Sequence, residues 1–252
     1  DCIDVEAAER LGIQVTNAAD ANSGSVAEFT LGLILSLAKK LPQSRDGLRK
    51  EGWSIRPQIT TFDLEGKTLG VLGMGRIGTA VARKASYGFG MKVLGYRRNL
   101  PGDICADYGI LTSDLDKVIR NSDFLSIHLP YTKDTFHLVS CEKLELMKPD
   151  AYLLNLGRGE VVDQAALREL LLSNRLAGAA LDVFEGEILD ADDPLLHMDQ
   201  VIATPHIAGL SKQAMERLSY QAALGITEVL EGRKVTYPVN HPEKYASDVS
   251  VA

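Results

Sequence analysis

TLGVLGMGRIG, Thr68 to Gly78, is a short apolar run that breaks into glycines and then opens a helical pattern with Ile77, Val81 and Ala85 on one face. Residues 73–78, GMGRIG, fit G-x-G-x-x-G. In that pattern Gly73 permits the tight turn, Gly75 lets a pyrophosphate approach the backbone, and Gly78 lets helix and strand pack closely. Arg76 and Ile77 then begin the helix, whose free N–H groups attract phosphate. Glycine-rich turns are common, so these six residues alone also fit a purely structural turn. The strand-like TLGVL before them and the amphipathic stretch after them supply the context that selects dinucleotide binding.

Outward from this unit the same alternation repeats. Strand-like runs are KVLGY (Lys92–Tyr96), FLSIHLP (Phe124–Pro130), AYLLNLG (Ala151–Gly157), AGAALDVF (Ala177–Phe184) and VIATPH (Val201–His206). Helical stretches lie between them, among them DQAALRELLLS with Asp163 placed to cap it. Strands alternating with helices predict right-handed βαβ units and a doubly wound α/β domain of the Rossmann type, its parallel sheet covered on both faces. Ahead of it, Asn22 and Ser23 are placed to cap a helix to about Leu41, apolar nearly all round and so expected to be buried between two bodies. Only Asp1 to Asp20 precede that helix, with one helix-like turn (VEAAERLG) and one strand-like scrap (IQVTN). At the other end Ser211 to Gly232 reads as a long amphipathic helix, and the polar tail after Asn240 is expected to fray. The expected division is 1–20, 21–208 as the dinucleotide-binding domain, and 209–252 as the closing helix and tail.

The 252 residues suit one large domain or two modest ones. A net charge of -7 disfavours general affinity for nucleic acid or an anionic membrane. Cys2, Cys105 and Cys141 are an odd set without metal-like spacing, which points to a reduced, cytoplasmic setting. FTLGLILSLA (Phe29–Ala38) is too short to span a bilayer. No signal-peptide pattern opens the chain, and since it starts with Asp rather than Met the true start is expected upstream.

A dinucleotide unit of this kind ends its second strand, about 20 residues on, with an acid that bonds the ribose 2′-OH. Here that place holds Arg97, followed by Arg98. A carboxylate would repel a 2′-phosphate, whereas a guanidinium fork binds one through charge-assisted hydrogen bonds. The pair therefore points to NADP as cofactor, with NAD the other possibility. The plain alternative is a solvated strand end, where basic residues are ordinary.

All strands of a parallel sheet end on one edge, where ligands bind. Three polar residues stand just beyond three different strands: Arg158 after AYLLNLG, Glu187 after AALDVF, and His206 at the end of VIATPH. Singly each reads as a loop residue. Beside a nicotinamide they form a chemical set: Arg158 to hold a carboxylate bidentately and polarise the adjacent carbonyl, His206 to deliver a proton, and Glu187 to orient the imidazole and favour its charged form.

With these motifs in order, the chain resembles the D-isomer-specific 2-hydroxyacid dehydrogenases. The resemblance runs from SVAEFTLGLILSLAKKL through GW, LEGKTLGVLGMGRIG, FGMKVLGY, LPYTKDTFHLVS, NLGRGEVVDQAAL, AGAALDVFEGE and ATPHIAG to a closing VN. It implies that Arg158, Glu187 and His206 take the family's catalytic roles and that Asp182 binds the nicotinamide carboxamide. It further implies pyrophosphate on the Gly73–Gly78 loop, Thr135 near the cofactor ribose or phosphates, and Leu129, Pro130, Leu156, Gly157 and Gly209 along the cofactor. The implied activity is reduction of a small 2-oxo acid to the D-2-hydroxy acid by NADPH, glyoxylate and hydroxypyruvate first, in a homodimer formed around the long apolar helix.

The chain departs from the family pattern in three ways. Arg97 replaces the usual Asp, as in members resembling glyoxylate and hydroxypyruvate reductases; Ile188 replaces the Pro that often follows the catalytic Glu; and residues 1–20 look like only the last βα unit of a flavodoxin-like substrate domain. A rival reading, also from the family, is a dinucleotide-sensing corepressor-like binding module. A third, a methyltransferase on a Rossmann-like sheet, accounts for GMGRIG but leaves Arg158 and His206 without a role. Of the other residues, His128 suits either the adenine side or packing, and His137, His197 and His241 read as loop residues. Trp53 reads as packing, and Cys141, at a helix start where the dipole would lower its pKa, as structural. No cluster has metal-ligand spacing, and the acidic run Glu185–Asp193 reads as a solvated loop.

Overall fold

The computed structural model describes residues 3–18, 20–186 and 189–242. Glu187, Ile188 and the tail from residue 243, for which fraying was expected, lie outside the described residues. The chain divides into two compact units, Val26–Ala208 and the paired segments Asp1–Ser25 and Gly209–Ala252.

In chain order the helices are α1 (Val5–Arg10), α2 (Ser23–Ala38), α3 (Leu41–Glu51), α4 (Arg76–Phe89), α5 (Leu115–Asn121), α6 (Cys141–Leu144), α7 (Gln164–Leu172), α8 (Pro194–His197) and α9 (Lys212–Leu230). The strands are β1 (Thr68–Leu72), β2 (Lys92–Tyr96), β3 (Ile104–Ala106), β4 (Gly109–Thr112), β5 (Phe124–Ile127), β6 (Tyr152–Asn155), β7 (Gly178–Leu181) and β8 (Val201–Ala203). They form one eight-stranded sheet in the order β3-β4-β2-β1-β5-β6-β7-β8. Every neighbouring pair is parallel except the β3–β4 hairpin.

Alternation along the strands builds a core on each face. Leu69, Val71, Phe124, Leu154 and Ala180 pack with α2 and α4, while Leu72, Leu125, Leu153, Ala179 and Leu181 pack with α5, α6 and α7. The period of two thus sends consecutive residues to opposite helical layers, which makes the sheet doubly wound. Asp163 caps α7 as predicted, accepting from Ala166 N at 3.0 Å.

Three expectations change. The helix beginning near Ser23 stops at Ala38 rather than Leu41, because Lys40 takes a left-handed backbone (φ 48) and a proline in the first turn of α3 restarts the chain. IQVTN forms no strand; it contributes one isolated antiparallel bridge, Thr16 to Pro238. Trp53 is not packed: it stands 80% exposed on the 3-10 turn Gly52–Gln58.

In the smaller unit, Asn240 clips the closing segment to residues 13–15. Its Nδ2 donates to Ile13 O at 2.9 Å and its Oδ1 accepts from Val15 N at 2.7 Å. Ser211 caps α9, and the buried Glu228 carboxylate accepts from Thr236 N and Oγ1, which holds its pKa below the usual range. Among the described residues no helix is long and apolar enough to cross a membrane.

Candidate functional site

β1 lies inside the sheet between β2 and β5, so the loop leaving its C-terminal end is flanked by two further strand ends. The loop's shape depends on side chains that are missing. Gly73 has φ 99, and a Cβ there would sit 2.7 Å from His128 O; a Cβ on Gly78 would sit 2.1 Å from Gly73 O. Both positions therefore require glycine. Gly75 differs: its φ is -83, nothing stands within 4 Å of its would-be Cβ, and it opens α4 with no side chain capping the helix. An uncapped helix start beside open backbone fits a dinucleotide pyrophosphate. Arg76 begins α4 in an exposed position, while Ile77 packs against the core.

The β1–β2 register pairs Leu72 with Tyr96, which sets Arg97 alongside Gly73. Arg97 is exposed and fixed through its backbone, its N–H donating to Thr112 O at 2.9 Å. Arg98 instead pairs with Asp134, Nη1 to Oδ2 at 2.9 Å. Thr135 is buried, and its hydroxyl holds its own turn by donating to Pro130 O and accepting from Thr132 N, each at 2.7 Å. Leu129 is partly buried and Pro130 exposed; Leu156 is buried in the α2/α4 core, and Gly157 abuts Leu129, whose carbonyl would lie 2.6 Å from a Cβ at 157. Gly209 belongs to the smaller unit, beside Asn22.

The ends of β6, β7 and β8 are built the opposite way, by side chains gripping backbone. Asn155, 1% exposed at the end of β6, donates from Nδ2 to Arg158 O at 2.9 Å and accepts from Gly157 N at 3.1 Å. It thereby folds the turn that presents Arg158, whose Nη1 donates to Gly157 O. Asp182, 1% exposed just past β7, grips the loop after β8: Oδ1 accepts from Thr204 Oγ1 at 2.6 Å and Ile207 N at 3.0 Å, and Oδ2 from Ala208 N at 2.9 Å. Its backbone oxygen also accepts from His206 N at 2.9 Å. These bonds sustain His206 in the left-handed region (φ 53), a conformation that costs a non-glycine residue about 1 kcal/mol or more. His206 itself is exposed.

Arg158, Asp182 and His206 line one cavity of about 540 Å³, whose other walls include Phe184, Leu189, Leu196 and Pro205. The cavity joins a guanidinium fork, an imidazole and an apolar wall, a combination able to hold a small carboxylate and exchange a proton with it. Glu187 falls outside the described residues, so the described set is Arg158 and His206. Sequence reading missed Asn155 and saw in Asp182 only a cofactor ligand. A lone Asn closing an otherwise apolar strand, one residue ahead of the Gly157-Arg158 turn, was the available signal.

His128 Nε2 lies 2.8 Å from Ser126 Oγ, Nδ1 is buried with no partner among the described residues, and burial pushes its pKa down to about 4. It is thus a neutral packing group beside the glycine loop. The Cys141 thiol is not lowered by its helix; desolvation and then the carboxylates of Glu145, Asp163, Glu169 and Glu142 push it up. His137 is tied to Glu185 at 2.9 Å and stacks on Phe136. Among the described residues no group of three or more His, Cys, Asp or Glu could hold a metal.

The family model "D-isomer specific 2-hydroxyacid dehydrogenase, NAD binding domain" matches residues 31–208. The chain is 41% identical over 243 residues to D-3-phosphoglycerate dehydrogenase of Methanocaldococcus jannaschii, covering 96% of this chain and 46% of that protein. It is 40% identical over 245 residues to glyoxylate reductase of Thermofilum pendens, covering 95% and 72%. Among solved structures, the NADPH-dependent glyoxylate/hydroxypyruvate reductase of Sinorhizobium meliloti in complex with NADP and malonate superposes with a TM-score of 0.85 at 31% identity, covering 95% of this chain and 75% of that one. The chain spans about half the length of the phosphoglycerate dehydrogenase it matches (46%).

Proposed function

The chain belongs to the D-isomer specific 2-hydroxyacid dehydrogenase family, and on that premise we propose that it forms the nucleotide-binding and catalytic body of an NADP-preferring oxidoreductase reducing a small 2-oxo acid, glyoxylate or hydroxypyruvate first, to the D-2-hydroxy acid. The observation that carries this reading is the shared cavity of Arg158 and His206 at the same sheet edge as the glycine loop. A bound nicotinamide dinucleotide supplies the hydride.

The chain's own residues do the rest. Arg158 clamps the substrate carboxylate through two N–H donors, which orients the neighbouring carbonyl. His206 gives its proton to the carbonyl oxygen as that oxygen becomes an alkoxide, and takes it back in the reverse direction. Asn155 and Asp182 fix the two loops, so the fork and the imidazole need no rearrangement. Glu187 is assigned to the imidazole by the family resemblance. The uncapped start of α4 with Gly75 holds the pyrophosphate, and Arg97 reads the 2′-phosphate. The segments before residue 26 and after 208 are assigned to a second, substrate-binding domain, and the protein to a homodimer in the cytoplasm.

The test is NADPH oxidation with glyoxylate or hydroxypyruvate, on the wild type and on His206→Gln. The expected result is turnover in the wild type and a fall in kcat of about 100-fold or more in the variant. A chain that binds NADPH yet reduces no 2-oxo acid, or a His206→Gln protein with full kcat, contradicts the reading.

A further inference from the structure

β2 and β5 flank β1, and the three strands run parallel. Anything seated on the glycine loop after β1 therefore lies between the segments leaving β2 and β5. Those two segments are tied together by a side-chain pair. Arg98, just beyond β2, places Nη1 2.9 Å from Oδ2 of Asp134, on the loop beyond β5. Their parent strands are two strand spacings apart, about 10 Å, so the pair links both flanks of the nucleotide loop.

The two partners are carried differently. Asp134 sits inside the turn that Thr135 staples, where Thr135 N and Phe136 N both donate to Thr132 O at 3.0 Å and the Thr135 hydroxyl is fixed at both ends. That turn fixes the Asp134 backbone, while its side chain stands 72% open to solvent. Arg98 is the long, half-exposed partner, with 51% of its side chain open to solvent. Among the described residues the Arg97 guanidinium has no carboxylate partner. The two arginines that look alike in sequence are thus in different states: one is available, the other engaged.

We infer that Asp134 is a specificity-determining residue, which competes with the adenosine 2′-phosphate for Arg98. This rests on the glycine loop holding the dinucleotide. To reach a 2′-phosphate with both arginines, the protein must first release Arg98 from a carboxylate of like charge to the ligand. A cofactor with a 2′-hydroxyl offers nothing to draw the guanidinium away, so its binding leaves the pair intact. Asp134 therefore narrows the margin by which the arginine pair would favour NADPH over NADH. Exposed ion pairs shift equilibria by only about a few-fold, which sets the expected size.

Calorimetry of NADPH and NADH on the whole chain, on Asp134→Asn, on Arg98→Gln and on the double variant tests this. Asp134→Asn should tighten NADPH about three- to fivefold with NADH within about twofold, and that gain should vanish when Arg98 is Gln. An unchanged NADPH/NADH ratio overturns the inference. So does weaker NADPH binding, which would make the carboxylate a positioner of Arg98, or a gain that persists without Arg98, which would make it a general repulsion. Preference of the wild type for NADH would contradict the NADP reading alone, because the Arg98-dependent gain in Asp134→Asn would still be seen. The three variants alter exposed side chains only, and thermal melts matching the wild type would show that all four proteins share one fold.

Discussion

The sheet edge carries two half-sites built by opposite means. At the end of β1 the backbone is the site, and its shape comes from positions where a side chain cannot fit, Gly73 and Gly78. At the ends of β6 to β8 the site is side chains, and its shape comes from buried polar groups gripping backbone, Asn155 and Asp182. The first arrangement suits a ligand held by its phosphates whatever its base, because N–H groups recognise charge and not identity. The second suits chemistry, in which a fork and a proton donor must be aimed at particular atoms. The two halves should fail differently when altered.

The largest effect is expected at Gly78. An alanine methyl 2.1 Å from Gly73 O cannot be accommodated without moving the loop or α4. Gly78→Ala should lower stability by about 4 kcal/mol and abolish NADPH binding, as read by urea unfolding and calorimetry. Gly75→Ala sharpens the contrast: with open space around it, stability should hold while NADPH affinity falls. A Gly78→Ala protein as stable as wild type would show that the loop is not shaped by backbone contact.

Asp182→Asn probes the other half. The carboxylate accepts three hydrogen bonds, and the amide nitrogen that replaces one oxygen would face a donor. A loss of about 3 kcal/mol is expected in urea unfolding. A loss below about 0.5 kcal/mol, the scale of an ordinary surface change, would mean that Asp182 is not what sustains the His206 backbone.

Between the halves lies His128, directly after β5. Its pKa is lowered from 6.5 to about 4 by burial, so the folded chain excludes a proton that the unfolded chain accepts. The neutral ring's contribution is complete above pH 6.5 and is lost as pH falls, by about 2 kcal/mol between pH 6.5 and 5. His128→Gln should flatten the pH dependence of the urea midpoint over that window. Equal slopes in both proteins would place the ring in contact with water.

Much of the fold was legible because runs such as TLGVL and FLSIHLP are long and apolar enough for their period to show, and their flanks carry caps such as Asp163. The β3–β4 hairpin was not legible. ICA is a mostly exposed edge strand and GILT a four-residue strand beside it with only Thr112 buried, so burial left too short a pattern to read. IQVTN had the composition of a strand, but it bridges at Thr16 alone. In the site, Arg158 and His206 could be placed because strand ends converge on one edge, a consequence of topology. The difference between Arg97 and Arg98 could not, since it depends on Asp134, a tertiary partner 36 residues away in sequence from Arg98. Asp182 shows the same limit: the family resemblance implied a cofactor ligand, while its burial and three bonds reveal the brace.

The most direct test of the account is cofactor selectivity, measured by calorimetry with NADPH and NADH on this chain and on Arg97→Asp. The account predicts NADPH bound at least tenfold tighter by the wild type, about 1.4 kcal/mol, with that margin erased in the variant. NADH binding as tightly as NADPH in the wild type, or a margin that survives Arg97→Asp, would contradict it and leave Arg97 a solvated strand end.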